Sequence, residues 1–147
     1  LNAALEDEAV LDRLVYSYVL RAIVDGACEA GESVEAYFVL LDCLAFVEKE
    51  ELRALKETVL HCFDAGEAPG SANVQELLEK ELVRISDSAE GVSTLEVGQA
   101  FRCVLQQPSM EPVLELWLGP GSFEYIDEAI EVAVRQSQLP LNQNAGN

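Results

Sequence analysis

The chain has 147 residues, half of them hydrophobic, and carries 27 Asp and Glu against nine Lys and Arg, for a formal net charge of −18. That length and apolar content suit one packed domain and argue against a disordered chain. The charge repels nucleic-acid backbones and anionic membrane surfaces, which sets both aside as direct ligands, and it attracts basic segments of other proteins.

Apolar residues recur at helical spacing almost throughout, and strand-like alternation is scarce. The spacing predicts a first helix from Glu6 to Ile23, with Leu11, Leu14, Val15, Tyr18, Val19 and Leu20 apolar, broken by Asp25, Gly26 and Gly31. Ser33 is placed to cap a second helix, Val34 to Phe46, apolar on most sides and therefore expected to be central. From Glu48 a third helix carries the stripe Leu52, Leu55, Val59, Leu60 and Phe63, and a loop from Gly66 to Gly70 follows. Asn73 and Glu76 have the spacing of a capping box for a fourth helix, whose stripe is Val74, Leu77, Leu78, Leu82 and Ile85.

A polar loop, Ser86 to Gly91, leads to a second capping box, Ser93 with Glu96, opening a fifth helix through Val97, Phe101, Val104 and Leu105. Pro108 ends it, Ser109 can cap a sixth helix to Leu118, and Gly119-Pro120-Gly121 makes a tight turn. The last helix starts near Phe123 and uses Ile126, Ile130, Ala133 and Val134. The expected fold is all-α: a compact bundle of about seven helices in a single domain over residues 1–137, with a disordered tail over residues 138–147.

Residues 86–134, SDSAEGVSTLEVGQAFRCVLQQPSMEPVLELWLGPGSFEYIDEAIEVAV, carry a repeated pattern of glycine, aliphatic or aromatic residue, and acid. Gly91, Val92 and Glu96 form one instance, Gly121, Phe123 and Asp127 another, with a Pro-Ser linker between them and a fainter echo at Gly70, Ala72 and Glu76. Over residues 71–136 the layout resembles the paired helix-loop-helix of the EF-hand family, calmodulin and myosin light chains in particular. The first 65 residues match that family poorly. Calcium loops need six or more oxygen ligands. Counting back from Glu96 puts Ile85, Asp87 and Ala89 at the first, third and fifth positions; counting back from Asp127 puts Leu116, Leu118 and Pro120 there. The resemblance therefore implies degenerate loops that bind no metal.

Four cysteines, Cys28, Cys43, Cys62 and Cys103, stand far apart with no CxxC or Cys/His spacing, so a zinc site is not expected. They read as buried free thiols of a reducing, cytoplasmic compartment. No apolar run is long enough to span a bilayer, no signal peptide opens the chain, and the start at Leu1 points to a trimmed end or a piece of a longer protein. The single histidine, His61, is adjacent to Cys62, and neighbouring helix positions do not face each other. The acidic clusters Glu6-Asp7-Glu8 and Glu48 with Glu50-Glu51 sit at helix starts, where they favour the helix dipole. No phosphate-cradling GxxxxGK occurs. A catalytic role and a cofactor are accordingly not expected.

The function expected from these residues is a regulatory or light-chain-like subunit that clasps a basic amphipathic helix of a protein partner. Phe101, Val104, Leu105, Leu114, Trp117, Phe123 and Ile130 would form the groove under an acidic rim. The alternative is a helical adaptor domain of a multiprotein complex with a flat or convex binding surface and no groove.

Overall fold

The computed structural model describes the backbone from Asp7 to Ala145 and the side chains from Asp7 to Ser137. Its elements are α1 (Glu8–Glu29), a 3-10 turn (Gly31–Ser33), α2 (Val34–Ala45), α3 (Lys49–Asp64), α4 (Ala72–Asp87), α5 (Thr94–Leu105), α6 (Met110–Leu118) and α7 (Ser122–Ala145). Among the described residues the fold is all-helical, as the apolar periodicity predicts. Glu6, the expected start of the first helix, lies outside them. So do the side chains of the expected tail from Gln138 onward and residues 146–147, while the backbone of α7 is helical to Ala145.

α1 starts where Asp7 accepts hydrogen bonds from the N–H groups of Ala9 and Val10. It does not break at Asp25 and Gly26 but runs on to Glu29. Packing explains the difference. A Cβ built on Gly26 would lie 2.5 Å from Cε1 of Tyr37, so the glycine is where α2 presses its tyrosine ring against α1. In an open helix Gly to Ala stabilises by about 1 kcal/mol. Here the Tyr37 ring must shift to make room, and overpacking of this kind costs about 1–3 kcal/mol. Gly26→Ala is therefore expected to lower the denaturant midpoint at unchanged m-value; a raised midpoint would contradict this packing.

One expected cap is replaced by a neighbour, and two make no capping bond. Ser71, not Asn73, caps α4 by accepting from the N–H of Val74, and the Asn73 amide donates to Glu67 instead. Ser33 and Ser109 stand at the N-cap positions of α2 and α6 but make no capping bond. The 3-10 turn ahead of α2 and the helical backbone of Ser109 remove the extended geometry a side-chain cap requires. The Ser93–Glu96 capping box of α5 is present in full.

α1 packs most extensively on α2, and α5 on α7; α1 also meets α6 and α5, while α4 and α2 both lean on α5. The fully buried Val15, Ile23, Leu40, Val97 and Met110 anchor these contacts. α2 is not the central helix its composition predicts. It buries Ala36, Tyr37, Val39 and Leu40 but leaves Phe38 exposed, and Phe46 just beyond its end is 83 % exposed. α5 takes the central place, contacting α1, α2, α4, α6 and α7.

α3 is peripheral, and its predicted stripe meets the core in part, with Val59 and Leu60 half-buried against it. Leu55 is exposed, and its two buried residues are Lys56 and Cys62. Side chains at its two ends hold it. Near the N-terminus Arg53 and Lys56 reach Asp12; near the C-terminus Cys62 packs with Val74 and Ala129, and Phe63 meets the edge of Tyr125 at 5.3 Å.

Candidate functional site

The seven residues expected to line a groove do meet in space, but as core. Val104, Leu105, Leu114 and Ile130 are buried, and Phe101, Trp117 and Phe123 are half-buried against the same cluster. None of the seven lines the cleft that opens between α2, α5 and α7. At 2–5 % exposure Val104, Leu105, Leu114 and Ile130 present almost no surface to a partner.

Trp117 is tied into a polar cluster that sequence reading missed. Its indole N–H donates to Asp12 Oδ1 at 2.8 Å, and Lys56 Nζ lies 5.8 Å from the ring centroid. Arg53 donates to Asp12 Oδ2 from Nη2 at 2.8 Å and from Nε at 3.2 Å, and Lys56 Nζ stands 3.5 Å from Oδ1. The Asp12 side chain is only 3 % exposed. Burial pushes its carboxyl up, but the Trp117 and Arg53 hydrogen bonds and the charges of Lys56 and Arg53 outweigh that, leaving the group below the ordinary carboxylate range. The cluster joins α1, α3 and α6, and its donors converge on one carboxylate. It reads as a structural clasp, not a reactive centre.

Of the two glycine–acid patterns that carry the EF-hand resemblance, the first serves as a helix cap. Ile85 and Asp87 lie within α4, so the connection to α5 is residues 88–93; the connection from α6 to α7 is residues 119–121. A calcium loop of that family takes about twelve residues. Gly91 supplies a φ of 84°, Val92 enters the core and Glu96 completes the capping box. In the second pattern Asp127 accepts from the Gln106 amide at 2.9 Å.

The N-terminus of α7 has its own anion. Glu115 accepts from the backbone N–H of Phe123 and of Gly121, each at 2.9 Å, and from the Ser122 hydroxyl at 3.0 Å. Those bonds, led by that of Phe123, hold its carboxyl below the usual range. Among the described residues no three His, Cys, Asp or Glu side chains gather as a metal site would require. Calorimetry with calcium is expected to show no binding tighter than about millimolar, the weak end of natural calcium loops. A micromolar isotherm would contradict this.

One cleft of about 720 Å³ opens between α2, α5 and α7, lined by Tyr37, Arg102, Cys103, Gln106, Glu131 and Arg135 among others. Tyr37 is pushed up to about 12, first by burial and then by the neighbouring Cys103 thiol, so its hydroxyl stays protonated at neutral pH. Arg102 pairs with Glu131 at 3.6 Å. His61 is exposed on α3 and does not line this cleft. The expectation that all four thiols are buried needs correcting: Cys62 is buried and Cys43 half-buried, but Cys28 and Cys103 are exposed. Cys103 opens onto the cleft beside Tyr37, and Cys28 lies on α1.

No protein-family model, curated protein or solved structure matches the chain. No described helix is long and apolar enough to cross a membrane.

Proposed function

We propose that the chain is a non-catalytic protein-binding domain of the adaptor type, which engages its partner through an outer helix surface. The observation that carries this reading is an inversion of the expected exposure. The residues expected to form a groove are packed in the core, while Phe38 and Phe46 stand 49 % and 83 % exposed at α2. Large aromatic side chains left in water on one element mark an interaction surface more often than scattered aliphatics do. A light-chain-like clasp through α5 to α7 would forfeit the core contacts of Val104, Leu105, Leu114 and Ile130, which favours the adaptor form. Exposed thiols at Cys28 and Cys103 persist in a reducing compartment, which fits a cytoplasmic protein.

The test is purification of the tagged chain from the cells that make it, followed by a salt wash, size-exclusion chromatography and mass spectrometry. A stoichiometric protein partner that survives the wash is the expected result. A chain recovered alone and monomeric would overturn the reading.

A further inference from the structure

We infer that the outward face of α2 is the docking site, and that its occupant is a basic amphipathic helix of the partner protein; this rests on the protein-binding reading above. Val34, Phe38, Leu41 and Ala45 recur at i, i+4, i+7 and i+11, so they lie along one stripe of the helix. Phe38 and Ala45 are exposed, Val34 is half-buried, Leu41 is half-buried with one side against the core, and the exposed Phe46 follows just past the C-terminal end. The opposite face of α2, with Ala36, Tyr37, Val39 and Leu40, faces the core. The helix thus has two apolar faces and buries only one.

The charge around the stripe selects the occupant. From Ala22 to Glu48 the chain contains no Lys, Arg or His but six carboxylates: Asp25, Glu29, Glu32, Glu35, Asp42 and Glu48. All six are exposed, and none is in a salt bridge among the described residues. The other exposed large apolar side chains outside residues 22–48 lack this setting: Val10, Leu14 and Tyr18 on α1 stand among Arg13 and Arg21, and Leu55 on α3 stands between Arg53 and Lys56. Leu77 and Val83 on α4 stand among Lys80 and Arg84 as well as acids, and Leu116 on α6 is solitary. A second copy of the chain would bring the same acidic rim and the same −18 charge, and an anionic bilayer is repelled likewise. A helix with an apolar stripe and lysines or arginines flanking it satisfies both features at once.

The probe is a fluorescent Leu/Lys amphipathic peptide of about 18 residues, roughly five helical turns, read by anisotropy beside a permuted peptide of the same composition. The wild-type chain is expected to bind the amphipathic order and not the permuted one. Phe38→Ser with Phe46→Ser is expected to weaken binding at least about tenfold, as anchor residues do, and Leu77→Ser with Leu116→Ser to leave it unchanged. Glu35→Lys with Asp42→Lys changes only exposed charges, so it serves if the aromatic variant fails to fold, and it too is expected to weaken binding about tenfold.

Equal binding of the permuted peptide, or unchanged binding by the α2 variants, would overturn the inference. So would a wild-type dimer in sedimentation that Phe46→Ser dissolves, since a second copy would then cover the face. The co-purification experiment, repeated with the α2 variants, separates the two proposals. A partner retained by those variants overturns the α2 site and keeps the protein-binding reading; no partner with any chain overturns both.

Discussion

Trp117→Ala is expected to destabilise the domain by about 3–5 kcal/mol, the usual range for removing a packed aromatic. Three contacts set that size. The ring packs against the core beside α6, its N–H is one of the hydrogen bonds on buried Asp12, and Lys56 lies over its face. A domain of this size has a stability of about 5–15 kcal/mol, so the variant should melt far earlier or be unfolded at body temperature. Trp117→Phe keeps a ring but leaves Asp12 short of one donor, which should cost about 1–3 kcal/mol. Urea denaturation of the three proteins orders them wild type, Phe, Ala. A Trp117→Ala chain as stable as wild type would show that Trp117 is a surface anchor after all, as the groove reading had it.

Removing the carboxylate is expected to matter about as much. Asp12→Ala strands the largely buried Lys56 ammonium and the Trp117 indole N–H, and breaking a buried charge pair on one side costs about 3–5 kcal/mol. The effect carries a pH signature. Asp12 ionises in the folded state below its ordinary range, so the stability it lends is fully present above the unfolded-state pKa, about 4. That stability is lost as pH falls from there through the folded-state value. Melting temperatures of wild type and Asp12→Ala should therefore differ widely at neutral pH and draw together in acid. Curves that stay parallel down to the acid limit would mean that Asp12 contributes no charge-dependent stability.

The helices were legible in the sequence because their signal is local. Apolar spacing placed α2 to α6 and the start of α7 within a few residues, and the Ser93–Glu96 box marked a true start. The misreadings arose where a distant residue decides. Gly26 looks like a helix breaker until Tyr37 is seen against it, and Asn73 looks like a cap until Glu67 is seen to hold its amide. Asp12, one acid among many in a chain of −18, gave no sign that Arg53, Lys56 and Trp117 converge on it from as far as 105 positions away.

The groove reading meets a related difficulty. Periodicity shows which residues are apolar, and it does not show whether a stripe meets the chain's own helices or a partner. Trp117 and Phe101 meet the chain's own. The surplus stripe on α2 was visible as a helix apolar on most sides, but that pattern has two readings, central burial or two partners, and only the packing separates them.

Hydrogen–deuterium exchange with and without the Leu/Lys peptide tests the central claim most directly. New protection over residues 34–46, with α5 and α6 already slow and unchanged, is the expected result. Protection or opening confined to Thr94–Leu105 and Met110–Leu118, with 34–46 unaffected, would contradict it and restore a groove between the helices of the core.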